Sequence, residues 1–224
     1  MNLVFYGGGD DNDNSELNSE CLKLVNKKSP RITYIPSCSY DSEWHFKKFV
    51  DHFQKHKVTQ FIHFPIDVPF DKILLSEVLK SDLIHLSGGN TYYFLKHLRK
   101  SGMAKLLKEF VKRGGVLTGL SAGGIIMTPI ITTASFPAWD RDENEEKIKN
   151  HKSLDLVSFE FFPHYVNSRR YDQVLVNYSK KSKRPVYATP DGSGIILKED
   201  EITFFGKNYA FYKGKKFILS QHLT

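Results

Sequence analysis

The chain has 224 residues, 40% of them apolar, which suits one large domain with a substantial core. Its longest apolar runs are only a few residues, far short of the about 20 that cross a bilayer, so no membrane partner is expected. The net charge of +7 raises the question of nucleic acid, but the only tight basic cluster is Lys180-Lys181-Ser182-Lys183-Arg184 and no nucleic-acid module accompanies it, so a solvated surface is expected. In chain order, Met1 to Tyr6 has no basic leader and reads as a first strand, not a signal peptide. Gly7-Gly8-Gly9 has no Gly-x-Gly-x-x-Gly or Walker continuation, and Asp10, Asp11 and Asp13 would repel a phosphate, so a plain strand-end turn is expected. Ser15 to Lys27 carries Leu17, Cys21, Leu24 and Val25 at helical spacing, Arg31 to Pro36 is a second strand, and Glu43 to His56 is a helix. Val58 to Phe64 is a strand, Asp71 to Lys80 a helix, and Leu83-Ile84-His85-Leu86 a strand running into Ser87-Gly88-Gly89-Asn90-Thr91. Helices are expected over Tyr92 to Lys100 and Met103 to Arg113. This alternation argues for an α/β fold with a largely parallel sheet flanked by helices.

Val116 to Met127 is the stretch around which the rest of the chain is organised. An apolar run enters Gly119-Leu120-Ser121-Ala122-Gly123 and a second apolar run leaves it, the sequence form of a nucleophile elbow. Gly119 and Gly123 leave room where a Cβ would crowd the turn, and the helix that follows presents free N–H groups and a positive dipole end. Beyond it, Thr132 to Lys152 loses periodicity, and 141–150 reads as a charged, mobile segment that could rim a pocket. Phe159 to Tyr165 is a strand and Arg169 to Ser179 a short helix. Pro185–Ala188, Gly194–Leu197, Glu201–Phe205, Tyr209–Tyr212 and Lys216–Leu219 are closely spaced strands. Turns such as Lys198-Glu199-Asp200 and Lys213-Gly214-Lys215 separate them, which predicts C-terminal antiparallel hairpins at the sheet edge. No repeat or linker interrupts 1–224, so one domain is expected.

A serine hydroxyl needs a base within hydrogen-bond reach. Of nine histidines, His45, His52 and His56 lie on or near one helix, His63 and His85 lie within strands, and His97, His151 and His222 sit in polar surroundings. His164 ends an apolar strand downstream of the elbow and is the leading base. For the orienting acid, Asp191 in Thr189-Pro190-Asp191-Gly192 comes first and Asp140 second, although Pro-Asp-Gly is equally a strong turn former. A backbone N–H of the Gly88-Gly89 loop and that of Ala122 are the expected oxyanion donors. Cys21 and Cys38 fit no metal or redox spacing, which points to a reducing compartment, the cytoplasm, with no metal and no cofactor.

The blocks Ser87-Gly88-Gly89-Asn90-Thr91, Gly119-Leu120-Ser121-Ala122-Gly123, Thr132-Thr133 and Pro163-His164-Tyr165, in that order and spacing, resemble the peptidase E (aspartyl dipeptidase) family of S51 serine peptidases. The resemblance spans roughly residues 30 to 195. It implies a fold like that of class I glutamine amidotransferases and hydrolysis of dipeptides with an N-terminal aspartate. It implies Ser121 as nucleophile, His164 as base, and Gly89 and Ala122 as the oxyanion hole. Asn90, Arg169 and Arg170 are the substrate-binding candidates. Two departures stand out. Ala134-Ser135-Phe136-Pro137 follows the Thr-Thr pair where those dipeptidases place an aspartate, and Asp191 stands where they carry a glutamate before glycine. Cyanophycinases, which cut β-aspartyl-arginine polymers, share the elbow and keep the substrate class open. The competing reading is a non-catalytic binding protein on the same scaffold. An amidotransferase is disfavoured, because the elbow carries serine and neither cysteine lies near it. The expected partner is a small peptide, and a homodimer is compatible with the sequence.

Overall fold

The structure, a computed structural model, describes residues 1–10, 12–199 and 201–219. Asp11, Asp200 and His222, which the sequence expectations include, lie outside the described residues. The elements run β1 (Asn2–Tyr6), α1 (Ser15–Val25), β2 (Arg31–Ile35), α2 (Ser42–Lys55), β3 (Gln60–His63), α3 (Lys72–Val78), β4 (Leu83–Leu86), α4 (Thr91–Lys100), α5 (Met103–Lys112), β5 (Val116–Leu120) and α6 (Ala122–Met127). After a 3₁₀ turn at Thr132–Ser135 come β6 (Glu160–Phe162), α7 (Arg169–Ser179), β7 (Val186–Ala188), β8 (Gly194–Lys198), β9 (Glu201–Phe205), β10 (Asn208–Tyr212) and β11 (Lys215–Leu219).

The main sheet has the order β3-β2-β4-β5-β1-β8-β9. Its first five strands are parallel, and β8 and β9 close it as an antiparallel hairpin. Side chains alternate along a strand, so each parallel strand feeds two cores. In β1, Leu3 and Phe5 join Phe94, Leu98, Leu107 and Ile126 from α4, α5 and α6. Val4 and Tyr6 join Leu17, Cys21, Phe49 and Phe53 from α1 and α2 on the other face. Burying each such side chain contributes about 1.5–3 kcal/mol, which explains why these strands read as continuous apolar runs.

The C-terminal strands differ from the expected single edge. Only β8–β9 extends the main sheet, while β11-β10-β7-β6 forms a second sheet in which β6 and β7 are parallel and the rest antiparallel. Leu175 of α7 seals it against Val186 and Phe211. Phe161 of β6 meets Phe5 of β1 at 5.3 Å between ring centroids, so the small sheet packs directly on the large one. The 141–150 segment, expected to be mobile, is tied along α4. Asn90 Nδ2 donates to the Glu143 carbonyl at 2.9 Å, the Thr91 N–H to Asp142 Oδ2 at 2.7 Å, and Arg99 to the Asn150 carbonyl at 2.8 Å.

Register fixes where a site can form. Tyr6 lies beside Leu120, Leu86 beside Gly119, and Ile35 beside Leu86. The carboxyl ends of β1, β2, β4 and β5 therefore share one edge, and the loops leaving them meet there.

Candidate active site

The elbow is built as its residue types require. A Cβ on Gly119 would lie 2.4 Å from the Gly123 carbonyl carbon, and one on Gly123 would lie 2.2 Å from the Leu86 oxygen, so both positions need glycine for space. The turn places Ser121 at φ 51, ψ −112, a conformation an L-residue adopts only at a cost of order 1–3 kcal/mol. Three backbone bonds hold it: Ser121 N–H to Tyr6 O at 3.2 Å, Gly123 N–H to Ser87 O at 3.1 Å and Ile125 N–H to Ser121 O at 3.0 Å. The side chain is left partly exposed at the sheet's carboxyl edge.

His164 follows β6 by two residues, at φ 53, and its N–H donates to the Gly7 carbonyl at 2.7 Å. Asp191 follows β7 in a turn whose Gly192 N–H donates to the Gly8 carbonyl at 3.2 Å. Both carriers are thus stitched to the loop leaving β1. The side chains form one chain: Ser121 Oγ is 2.8 Å from His164 Nε2, and His164 Nδ1 is 2.8 Å from Asp191 Oδ1. An ionised carboxylate only accepts, so facing Asp191 assigns the proton to Nδ1 and leaves Nε2 to accept from the serine hydroxyl. The side chains of His164 and Asp191 are 47% and 56% exposed, so solvent screens their attraction and the contact mainly orients the ring.

The triple glycine is more than a strand-end turn. A Cβ on Gly8, at φ 142, would lie 2.0 Å from Asp191 Oδ1 and 2.3 Å from His164 Nδ1, so the bare backbone is the floor beneath the pair. Asn14 Nδ2 holds that floor by donating to the Gly8 carbonyl at 3.1 Å. The available sequence signal was its position after a parallel strand, where sites form.

The other candidates fall differently. A Cβ on Gly88 would lie 3.5 Å from Ser121 Cβ, so the Gly88-Gly89 loop borders Ser121. The N–H groups of Gly89 and Ala122 donate to no backbone acceptor found outside helices and strands among the described residues. With only six residues in α6, the donors at this site are individual N–H groups with little help from a helix dipole. Asp140 is not at the histidine, because its carboxylate accepts from Tyr171 Oη at 2.7 Å. Asn90 caps α4, its Oδ1 accepting from Tyr93 N–H at 3.0 Å, while its Nδ2 anchors Glu143, so both ends of the carboxamide serve the fold. The Arg170 guanidinium lies 3.6 Å over the Trp139 ring, and Arg169 is exposed beside it at the start of α7.

Behind the elbow, Tyr6, Asn14, His85 and Leu120 line a small cavity of about 60 Å³, room for a few waters. Burial keeps its groups neutral: the His85 imidazole is pushed down to about 3 and the Tyr6 hydroxyl is raised well above its usual range. Cys21, on the same face, is raised to about 12 by burial and is no nucleophile. No group of three or more His, Cys, Asp or Glu side chains among the described residues has the arrangement to hold a metal ion. No described helix is long and apolar enough to cross a membrane.

Comparison with known proteins bears on the family and the fold. The chain is 26% identical over 228 residues to an uncharacterized peptidase of Bacillus subtilis (strain 168), covering 98% of this chain and 93% of the relative. It is 33% identical over 158 residues to peptidase E of Salmonella heidelberg, covering 64% of this chain and 65% of the relative. A crystal structure of a putative peptidase E protein from Listeria monocytogenes EGD-e superimposes with a TM-score of 0.73 at 22% identity, over 91% of this chain and 97% of that one, which is a likeness of fold. Residues 3–205 match peptidase family S51, and the chain belongs to that family of peptidases.

Proposed function

We propose that this peptidase is of the serine type and hydrolyses small peptides through an acyl-enzyme on Ser121. The supporting observation is the unbroken chain Ser121 Oγ–His164–Asp191, with both links at 2.8 Å and the serine on a strained elbow. In this reading Ser121 Oγ attacks the scissile carbonyl while its proton passes to His164 Nε2. Asp191 holds the ring in the accepting tautomer and stabilises the imidazolium. The carbonyl oxygen, now negative, is met by the N–H groups of Gly89 and Ala122. His164 then gives its proton to the leaving amine, and water, activated by the same histidine, releases the acid and restores the serine.

Asp191 supplies an orienting acid without the aspartate absent after Thr132-Thr133, which weakens the non-catalytic reading. Substrate class is a separate matter. Exposed Arg169 and Arg170, stacked on Trp139, follow His164 within six residues along the chain, and the relative named peptidase E makes N-terminal aspartyl dipeptides the first substrates to try. A reducing, cytoplasmic setting fits Cys21 and Cys38, both free thiols in the fold. The test is hydrolysis of a panel of dipeptides and aminoacyl amides, Asp-Leu included, by wild type and Ser121→Ala side by side. Cleavage lost in the variant is expected, and a variant with near wild-type turnover would sink the proposal.

A further inference from the structure

The geometry points to Ser37 as a positioning residue that fixes the oxyanion-binding peptide between Gly88 and Gly89, an inference that rests on the reading of Ser121 as nucleophile. Ser37 is the second residue after β2 and is remote in sequence from both the elbow and the glycine loop. Its hydroxyl donates to the Gly88 carbonyl at 2.7 Å, and the Ser87 hydroxyl donates to the same oxygen at 2.9 Å. The Gly88 C=O and the Gly89 N–H belong to one planar trans peptide and point to opposite sides of the chain. Two hydroxyls on the carbonyl therefore set the plane and turn the N–H away from Ser37.

The contact is close enough to be specific. A Cβ on Gly89, at φ +132, would lie 2.0 Å from Ser37 Oγ, so the serine occupies the space a side chain there would take. Ser37 is itself held in place. Its N–H donates to Ser87 Oγ at 2.8 Å, and two residues on, the N–H and hydroxyl of Ser39 both reach Asp67 Oδ2, at 2.9 and 2.8 Å. The hydroxyls have a second effect. Donation to the carbonyl polarises the amide and makes its N–H a stronger donor. A peptide that is fixed and polarised before substrate arrives is what stabilises charge developing in the transition state without reorganisation.

The test is saturation kinetics of Ser121 phosphonylation by a fluorophosphonate, for wild type, Ser37→Ala and Ser37→Cys, with thermal unfolding of each. In Ser37→Ala the limiting rate is expected to fall about tenfold or more. The half-saturating probe concentration and the pH midpoint of the rate are expected to stay in place. Ser37→Cys keeps the volume with a weak S–H donor and is expected to be depressed as well. A limiting rate within about twofold of wild type in both variants overturns the role of Ser37 while leaving Ser121 as nucleophile. A fall that comes with a shifted pH midpoint or weakened probe binding means a loosened site and contradicts the inference. Failure of wild type to react overturns the reading of Ser121, and this inference with it.

Discussion

At Gly8 the backbone passes so near His164 and Asp191 that one added methyl would lie 2.0 Å from the aspartate oxygen. Gly8→Ala is therefore expected to lower hydrolysis by about 100-fold or more while costing only about 1–3 kcal/mol of stability, read from activity and urea unfolding on the same preparation. Asp191→Asn addresses the tautomer. An amide can present its NH₂ to Nδ1 and move the ring proton to Nε2, where it blocks acceptance from Ser121; a drop of about 100- to 10,000-fold in kcat is expected with the fold unchanged. Activity within a few-fold of wild type would leave the aspartate as a turn residue only. That Ser121, His164 and Asp191 would come together was legible in the sequence because each follows an apolar strand and has glycine or proline within two residues. The contacts of Gly8 and Ser37 were not, because they reach residues far along the chain and no local pattern records such a contact.

Among the elements, α4 shows how a loop without periodicity becomes fixed. Asn90 caps its first turn and Asp142 takes the Thr91 N–H, so the 141–150 segment is held by the helix's own unpaired donors. Charge content alone pointed to a mobile segment, because no local pattern records which distant backbone groups it reaches. Asn90→Ala is expected to cost about 1–2 kcal/mol in urea unfolding through the lost cap and anchor. In β4, His85 is buried between Tyr34 and Tyr6, with Nδ1 2.8 Å from Thr118 Oγ1 and its pKa pushed from 6.5 down to about 3. Between those values the unfolded chain binds a proton that the folded one refuses, so stability falls as pH drops from 6.5 toward 3, by up to about 1.4 kcal/mol per pH unit. His63 and His97, also pushed down by burial, act in the same direction. His85→Gln is expected to flatten the pH dependence relative to wild type in that window. An unchanged slope in urea midpoint against pH would contradict the assignment.

For the molecule as a whole, the parallel sheet was legible because its strands are buried on both faces and alternate with amphipathic helices. The division of the last strands between two sheets was not. Apolar content does not separate these six strands, and the packing of Phe161 on Phe5, and of α7 on Val186 and Phe211, accompanies the pairing of β6, β7, β10 and β11 in a sheet of their own. That second sheet matters to the site, since β6 and β7 deliver His164 and Asp191 to a serine carried by the first. On the proposed mechanism these two sheets together assemble one nucleophile. The most direct measurement is mass-spectrometric mapping of fluorophosphonate adducts on the wild-type protein, with Ser121→Ala and His164→Ala alongside. Stoichiometric labelling of Ser121, absent in Ser121→Ala and strongly slowed in His164→Ala, is the result expected. No adduct, an adduct on another residue, or labelling indifferent to His164 would contradict it.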